Sequence, residues 1–320
     1  MGSEQTSVHS TVIESIDDLR TPIASADIEI TQLGPGRVQG HLTRASIGDV
    51  AFSMGSFSTS LRAAGVFDQT HTIVGVLLGS TDVVTDGGVE IRPGDVVWTP
   101  PAGDHDVRYA GQASFVGLSI RPREIAGLLA GENWLGDWTT WEHSARCRPQ
   151  SRRNLALGRE LANVACRLHK LGTGAPDSAT DFWKRSVVEA FAAGILDTIP
   201  ESADLIPSPS RLVREVEHYV DTHNSKPVHI SEICSVLKLS RRTLHRAFHD
   251  VTGFGPAAFL RRKRLCHVYS KLNSSDPLRT HVTQVATEFG FTELGRFSQY
   301  YRALFDEYPS ETLRRGRPPE

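Results

Sequence analysis

Three polar side chains near the end of the chain are spaced so that they could read a nucleic acid. Arg296, Gln299 and Arg302 recur at every third position of a stretch with helical periodicity, so they share one face of the predicted helix. In the DNA major groove, arginine can pair with guanine through two hydrogen bonds and glutamine can do so with adenine. This stretch therefore predicts contact with base edges and phosphates.

The elements that must hold these side chains are two short helices between Val282 and Arg315. Thr283 is the expected N-cap of the first helix, Gly290 supplies the left-handed backbone of a tight turn, and Thr292 is the expected cap of the second helix. The apolar positions of the two helices keep helical spacing: Val282, Val285, Ala286 and Phe289, then Phe297, Tyr300, Tyr301 and Leu304. A helix, a glycine turn and a second helix form a helix-turn-helix.

The same pattern occurs once before in the chain, about 52 residues upstream. The matching positions are Ile230 and Val282, Ile233 and Val285, Leu237 and Phe289, Leu244 and Phe297, Phe248 and Tyr301, and Pro256 and Pro309. A single corner of this kind occurs in many helical bundles. Two copies with matching cores and trailing prolines predict a paired DNA-binding unit.

The double helix-turn-helix, and above all GF…RFSQYYRALFDEYPSETL, resembles the DNA-binding domain of the AraC family of bacterial transcription regulators. The second unit is most similar to the subgroup that holds the ethanolamine-operon regulator. The resemblance covers roughly residues 208 to 318. In one departure, Lys238 stands in the first turn where the family usually has glycine, so we expect that corner to be more strained or built differently.

The resemblance implies which side chains contact DNA. The candidates for base contacts are Arg242, His245 and Arg246 in the first unit and Arg296 and Gln299 in the second, where Leu294 and Gly295 offer fewer polar groups than the family often has. The candidates for phosphate contacts are Ser240, Arg241, Thr292, Arg302 and Arg261. The basic run at 261–264 fits a phosphate contact and a solvated helix face equally well.

The segment between the two units reads as one continuous helix from Pro256 to Leu272. At 1.5 Å per residue it would be about 25 Å long. A rigid connector of that order can place two recognition helices in successive major grooves, about 34 Å apart on one face of DNA.

Charge is segregated along the chain, although the formal net charge is only −2. Residues 207–320 hold 18 Lys and Arg against 12 Asp and Glu, whereas residues 1–206 hold 17 against 25. A basic final third on an acidic body is the asymmetry expected of a DNA-binding module joined to one that does not bind DNA.

The first half of the chain has the pattern of a β-protein. Short β-rich runs between about Ile28 and Ile120 are separated by turn signals such as DGG at 86–88 and PGD at 93–95. Many short strands with such punctuation predict a sandwich or barrel. The fold class predicted for the whole chain is therefore α+β: a β-barrel or sandwich with accessory helices, followed by an all-α domain of two helix-turn-helix units.

A second, weaker resemblance appears between Gly94 and His105, which is similar to the second motif of the cupin barrel. AraC-family proteins often carry such a barrel as their effector-binding half. The other cupin motif, with its paired histidine and glutamate ligands, is not visible, so we expect no metal. The candidates for an effector pocket are Phe52, Phe57, Trp98 and His105, with the alternative that Phe52 and Trp98 are simply core.

These patterns divide the chain into four predicted segments. Residues 1–130 form a cupin-like effector-binding domain, 131–199 a helical segment, 200–210 a proline-rich linker and 211–318 the double helix-turn-helix domain. Short helices are predicted at 13–19 and 123–130, and longer ones at 151–171, 179–199 and 211–222. The longer helices of the second segment could dimerise or could only cover the barrel.

The sequence predicts a sequence-specific transcription activator that responds to a small-molecule effector. The expected partners are double-stranded DNA, the effector, RNA polymerase and a second copy of the chain. The alternatives are a regulator controlled by a partner protein and a metal-dependent cupin enzyme with a DNA-binding tail.

No catalytic motif, cofactor motif, signal peptide or membrane span is visible, and the four cysteines are scattered. We therefore expect no enzyme, no cofactor and no membrane contact, and a cytoplasmic location.

Overall fold

The computed structural model of the chain describes residues 7–20, 27–148, 177–193, 209–222 and 228–316, together with positions 160, 163–164, 166–167, 195 and 201–202. Two antiparallel β-sheets come first along the chain, and a series of helices follows. The predicted α+β fold class is confirmed. No helix among the described residues is long and apolar enough to cross a membrane.

The larger sheet has eight strands, ordered β1-β3-β4-β11-β6-β9-β12-β13. Their bounds are β1 Ser7–Ile13, β3 Gly40–Ile47, β4 Val50–Phe57, β6 Thr72–Ser80, β9 Val96–Thr99, β11 Ala113–Ile120, β12 Ala145–Cys147 and β13 Glu201–Ser202. Strand β1 was not predicted, and the helix predicted at 13–19 is shorter than expected because Ile13 belongs to this strand. Its β-branched residues pair along all of β3, and only Ile16–Leu19 is helical (α1).

The smaller sheet has five strands, ordered β2-β5-β10-β7-β8. Their bounds are β2 Asp27–Gln32, β5 Leu61–Val66, β7 Val84–Asp86, β8 Val89–Ile91 and β10 Asp104–Tyr109. The predicted strand–turn–strand at 94–105 is present as β9 and β10. These two strands belong to different sheets, so the turn between them joins the two layers.

The remaining helices are α2 Pro122–Leu128, α3 Asp177–Ala193, α4 Pro209–Thr222, α5 Ile230–Val236, α6 Arg241–Thr252, α7 Pro256–Asn273, α8 Val282–Glu288, α9 Leu294–Phe305 and α10 Pro309–Arg315. Five of the last six follow the predicted double helix-turn-helix and its connecting helix, whereas α10 was not predicted as a helix. Most of the helix predicted at 151–171, and most of the predicted linker, lie outside the described residues.

The outer face of the larger sheet packs against α2 and α3 over an aromatic cluster. Trp98 on β9 contacts the rings of Trp134 and Trp141, at centroid distances of 6.0 and 5.3 Å. These two residues lie in short 3-10 turns, Asn133–Gly136 and Trp138–Glu142. The Trp98 indole donates to the carbonyl of Thr140 at 3.1 Å, so its polar edge is satisfied although the ring is buried.

The smaller sheet separates an internal cavity from the helices. Because side chains alternate along a strand, each strand presents one residue to the cavity and the next to the helices. On β10, His105, Val107 and Tyr109 line the cavity, while Asp106 and Arg108 face the helices. Strands β2 and β5 alternate in the same way.

Buried ion pairs join the smaller sheet to the helical half. Arg62 on β5, with a side chain 1% exposed, makes two hydrogen bonds to Asp106, at 2.6 and 2.9 Å, and one to Glu217 of α4, at 2.9 Å. Lys263 of α7 contacts Glu29 on β2 at 2.8 Å and Asp221 of α4 at 2.8 Å. Burial alone would raise the pKa of Glu29, but the hydrogen bond from His267 and the charge of Lys263 lower it to about 2.

Replacing Lys263 by methionine is expected to destabilise the protein by about 3 kcal/mol, because Glu217, Glu29 and Asp221 lose the buried cation that they share. Equilibrium urea unfolding of the full chain measures this loss. Lys271→Met is the matched control, since that lysine lies exposed on the same helix and should change stability by less than about 0.5 kcal/mol. Equal effects of the two substitutions would contradict a structural role for the Lys263 network.

Candidate DNA interface and effector cavity

The first helix-turn-helix consists of α5, a turn at 237–240 and α6. Ser240 caps α6 by accepting a hydrogen bond from the Thr243 amide at 3.0 Å. Lys238 takes the left-handed conformation with φ of 52°, as expected from its place in the turn. A lysine there is strained because its Cβ crowds the backbone.

The second helix-turn-helix consists of α8, a turn and α9. Gly290 is left-handed at φ 79°, as predicted. The two predicted threonine caps are wrong: α8 starts one residue before Thr283, with His281 as its N-cap, and α9 has Glu293 rather than Thr292 at that position. Neither N-cap side chain accepts a backbone hydrogen bond, so tertiary packing rather than capping fixes these helix starts.

The two units have residues with a left-handed backbone conformation at equivalent places. Each unit needs one in its turn and one at the end of its second helix. The first unit has Lys238 and Gly253 at these places, whereas the second has Gly290 and Asp306. Each unit therefore has glycine at one of the two positions and a residue with a side chain at the other.

The predicted base-contact residues are all exposed on one side of their helices. Arg242, His245 and Arg246 project from α6, and their helix is anchored from beneath by Leu244 and Phe248. In the second unit Arg296 and Gln299 are exposed on α9, anchored by Phe297 and Tyr301. Both helices therefore present basic or amide groups to solvent, as major-groove readout requires. Contact of these residues with DNA remains a prediction.

The predicted phosphate contacts have different environments. Arg241 and Thr292 are exposed, and the Ser240 hydroxyl is engaged in the cap. The Arg302 guanidinium donates to the Tyr308 hydroxyl at 2.6 Å, and that of Arg261 lies 4.2 Å from the ring centre of Tyr300. These contacts orient the two arginines, so each would reach DNA from a fixed position.

The basic run at 261–264 forms neither a uniform phosphate-binding face nor a solvated one. Lys263 is buried in the ion network, and Arg262 donates to the carbonyl of Leu33 at 3.0 Å. Arg264 lies over Phe291, with its guanidinium carbon 5.6 Å from the ring centre. A helix packed on several sides points consecutive residues in different directions, so one charge run serves several separate contacts.

The β-sheets and their loops, here called the sheet half, touch the C-terminal ends of α6 and α9. These two are the recognition helices, which carry the predicted base-contact residues. Arg108 lies against Gly253 at the end of α6, so closely that a side chain at Gly253 would collide with the guanidinium. At the end of α9, the Gly36 amide and the Gln32 side chain donate to the Leu304 carbonyl at 3.0 and 2.8 Å. The sheet half therefore reaches both helices. Arg242, His245 and Arg246 stay exposed, while Pro35 and Gly36 line a surface groove together with Gln299 and Arg302.

The cavity between the two sheets has a volume of about 380 Å³. Small residues at one register of the larger sheet make room for it: Ser53 on β4, Gly117 on β11 and Gly75 on β6 are direct neighbours. Neither glycine has a positive φ, so the backbone does not require glycine at either position. A Cβ on Gly75 would come no closer than 3.6 Å to another atom, and one on Gly117 would lie 3.2 Å from the Ser53 hydroxyl. Packing therefore leaves room for a side chain at Gly75, and its absence adds space to the cavity.

The cavity is apolar apart from a few polar side chains. Asp86, His105 and Tyr109 line it from the smaller sheet, and Arg44 lines it from the larger one. Burial, followed by the negative charge of Asp106, raises the pKa of Asp86 to about 7. Burial lowers the pKa of His105 to about 4, so this ring is neutral at physiological pH.

The predicted effector-pocket residues are not all at this cavity. Phe57 and His105 line it, and Phe52 borders it while packing in the core on the other face of the larger sheet. Trp98 is absent from the lining because its ring packs on Trp134 and Trp141, as the alternative interpretation expected.

Asp86, Tyr109 and Arg44 were missed by sequence reasoning. The DGG motif that contains Asp86 was read only as a turn. The alternation in β10, with a histidine, a valine and a tyrosine at every second position, was the available signal.

The described residues contain no cluster of three or more His, Cys, Asp or Glu side chains arranged to hold a metal ion.

Comparison with known proteins agrees with this geometry. Residues 233–315 match the family described as "Helix-turn-helix domain". The XylDLEGF operon transcriptional activator 1 of Pseudomonas putida is 21% identical over 287 residues, covering 87% of this chain and 86% of that protein. The HTH-type transcriptional activator RhaS of Klebsiella pneumoniae is 33% identical over 99 residues, 31% of this chain and 34% of its own length.

The chain is a DNA-binding transcription regulator, similar to those of the AraC family. Its relatives are regulators, so the prediction of a DNA-binding regulator rather than an enzyme is confirmed. Two further XylDLEGF operon activators are matched over only 31% and 62% of their lengths. The crystal structure of the AraC-like transcriptional activator CuxR aligns with a TM-score of 0.42 and 15% identity over 83% of this regulator and 96% of that chain.

Lys238→Gly is expected to stabilise the regulator by about 0.5–1 kcal/mol, because relief of the left-handed strain exceeds the entropy that glycine adds to the unfolded chain. Lys271→Gly makes the same chemical change at a helical position and should instead destabilise by about 1 kcal/mol. Urea unfolding of both variants measures the contrast. A loss of stability in Lys238→Gly would mean that the lysine side chain makes a stabilising contact.

Arg246→Ala is expected to weaken binding to a specific DNA site by about 1–3 kcal/mol while sparing random DNA, because base contacts carry sequence information and phosphate contacts do not. The Arg246 side chain is 84% exposed, so its loss should not affect folding. Fluorescence anisotropy with both duplexes measures the two affinities, and Arg92→Ala, at an exposed arginine of the sheet half, is the control. Equal losses on both duplexes would exclude a base-reading role.

Proposed function

We propose that this regulator binds a small-molecule effector in the cavity between its sheets and converts occupancy of the cavity into a change in DNA binding. The observation that carries the proposal is the smaller sheet, which has the cavity on one face and the DNA-binding helices on the other. A movement of its strands toward a ligand would be transmitted to the helices, because neighbouring residues on each strand face the two sides.

Strand β10 is the shortest route between cavity and helices. His105 lines the cavity, while Asp104 before it pairs with Arg214 of α4 at 2.5 Å and Asp106 after it holds Arg62. A ligand that shifts His105 or Tyr109 would therefore change the geometry of ion pairs on which α4 depends. Such coupling is a difference in ligand affinity between two arrangements of the halves.

We further propose that the regulator activates transcription as a dimer in the cytoplasm, through contact with RNA polymerase. The names of relatives support activation, since the P. putida and K. pneumoniae proteins are described as transcriptional activators. Helix α3 covers the outer face of the larger sheet, and the exposed Phe182 on it, at 61% exposure, offers an apolar contact for a second copy.

The proposed division of labour is that of the four segments predicted from the sequence. We propose a cupin-like effector domain in residues 1–130, supported by two antiparallel sheets around a cavity. Residues 211–318 would read DNA through Arg242, His245, Arg246, Arg296 and Gln299. We also propose that the second unit is most similar to the ethanolamine-operon-regulator subgroup, and the sequence motif alone supports this.

Control by a partner protein is the second candidate function. An effector would raise the melting temperature of the regulator in proportion to its occupancy, whereas a partner protein acting through the helices would leave the cavity without a ligand.

Selection of genomic DNA by the purified full-length regulator, followed by sequencing, tests the proposal. At about 150 mM salt, where non-specific phosphate contacts are weakened, we expect a few enriched sites. Each should contain two elements about one helical turn, roughly 34 Å, apart, because α6 and α9 would enter successive major grooves.

The control for this selection is a double variant, Arg246→Ala with Arg296→Ala, which should recover no site. Failure of the wild-type protein to enrich any site, with or without cell extract as a source of effector, would reject sequence-specific regulation by this chain.

A further inference from the structure

We propose that the effector is a small amine with an apolar, ring-bearing body, whose ammonium group is bound by Asp86 at the smaller sheet. This inference rests on the proposed function, because it names the ligand class of the same cavity. It is carried by the chemistry of the groups that surround Asp86 and by the shape of the space in front of them.

Asp86 lies at the centre of a group of hydrogen-bond acceptors. It pairs with Val107 across the sheet, so His105 and Tyr109, two residues to either side on β10, are its diagonal neighbours on the cavity face. Within the described part of the chain, neither the His105 ring nitrogens nor the Tyr109 hydroxyl has a hydrogen-bond partner. A carboxylate, a neutral imidazole nitrogen and a phenol oxygen are all hydrogen-bond acceptors, so Asp86 together with either neighbour can receive an ammonium group.

Aromatic rings pack against both diagonal neighbours of Asp86. The Phe57 and Tyr109 rings meet edge to face with centroids 5.0 Å apart, and Phe115 lies 6.3 Å from Phe57. Phe67 contacts His105 at 4.7 Å. The faces of aromatic rings attract cations, and an acid within such rings is the arrangement that favours an ammonium group over an uncharged donor. Beside an uncharged ligand the buried acid would take up a proton, so such a ligand would gain no charge pairing.

The floor of the cavity provides a place for the apolar body. The row formed by Ser53, Gly117 and Gly75 crosses three neighbouring strands and is open toward the cavity. A flat ring can lie on this row, because no side chain larger than serine rises from it. The volume of about 380 Å³ admits a molecule with one or two rings.

Arg44 is the second charged side chain of the cavity lining. It lies on the larger sheet, next to Ser53 at the end of the row of small residues. The charged groups that shift the pKa of Asp86 include Asp106 on β10, Arg146 on β12 and Arg214 on α4.

The expected affinity for amines depends on pH. Asp86 must be ionised to bind the ammonium, and its pKa of about 7 means that the ionised fraction rises between pH 6 and pH 8. The amine stays protonated over this range, as a lysine does, and His105 stays neutral. Tyr109 does not ionise either, because burial raises its pKa above the usual value. Affinity should therefore increase about tenfold from pH 6 to pH 8.

Matched ligand series test the proposal on the full-length protein. The probes are 2-phenylethylamine, tryptamine and hexylamine, each compared with the carboxylate and the alcohol on the same body. Melting-temperature shifts and titration calorimetry report binding without DNA. We expect the amines to bind more tightly than their carboxylates and alcohols, and the ring-bearing amines more tightly than hexylamine.

Asp86→Asn should reduce amine affinity by tenfold or more and abolish its pH dependence. Glu90→Gln, at an exposed acid on the neighbouring strand β8, should leave both unchanged. The asparagine variant should fold, because it removes a buried carboxylate and keeps its shape, and its melting temperature checks this directly. Tyr109→Phe is a second variant that keeps Asp86 and should weaken amine binding to a smaller extent.

Three outcomes would overturn the proposal: tighter binding of the carboxylates, unchanged amine affinity in Asp86→Asn, or no binding of any amine at millimolar concentration. Tighter binding of the carboxylates would mean that Arg44, and not Asp86, binds the charged group of the ligand. Because genomic selection tests DNA reading without any of these probes, failure of the amine series leaves that result intact and can be distinguished from failure of the proposed function.

Discussion

The buried guanidinium of Arg62 constrains how the two halves of this regulator fit together. Arginine keeps its charge under all physiological conditions, so inside the protein it must stay paired with carboxylates. Asp106 comes from the same sheet as Arg62, and Glu217 comes from the helical half. A small separation of the two halves would part Arg62 from Glu217 while both remain buried, and an unpaired buried charge is unfavourable. Lys263 repeats the constraint with Glu29, Glu217 and Asp221. The two networks favour a small number of discrete arrangements over gradual movement.

The smaller sheet makes this constraint available for regulation. Its strands are a single layer thick, and adjacent residues on β10 line the cavity and hold Arg62. The space in front of it exists because Gly75 and Gly117 leave out side chains that the backbone would tolerate. A ligand in that space is therefore separated from the ion network by one peptide unit. No long chain of intermediate contacts is needed to connect the cavity with α4 and α7.

The candidate base-contact residues stay exposed, although Pro35 and Gly36 of the sheet half line a groove beside Gln299 and Arg302. The sheet half holds the connecting helix α7 and the far ends of α6 and α9, through Arg262, Gln32 and Arg108. Cation–π contacts such as that of Arg261 with Tyr300 join α7 to the second unit. Helix α7 contacts both helix-turn-helix units. A change in its position would therefore alter the distance and angle between α6 and α9 without unfolding either helix. That relation decides whether both can enter successive grooves.

The sequence by itself determined the helical half, because periodicity, turn glycines and internal repetition are local properties that each unit carries twice. Five of the last six helices, the strained turn at Lys238 and the exposed arginines all follow from them. Local pattern was a poor guide where partners lie far apart in the chain. Strand β1 was missed because its partner β3 is needed to make it a strand, and Trp98 was offered as a pocket residue although it lies in the core. Only the tertiary structure brought Arg62 to Glu217, 155 residues away, and set Asp86 beside His105 and Tyr109. Sheet order and the packing of one half on the other decide such contacts, because they depend on which strands become neighbours and not on any residue's immediate surroundings.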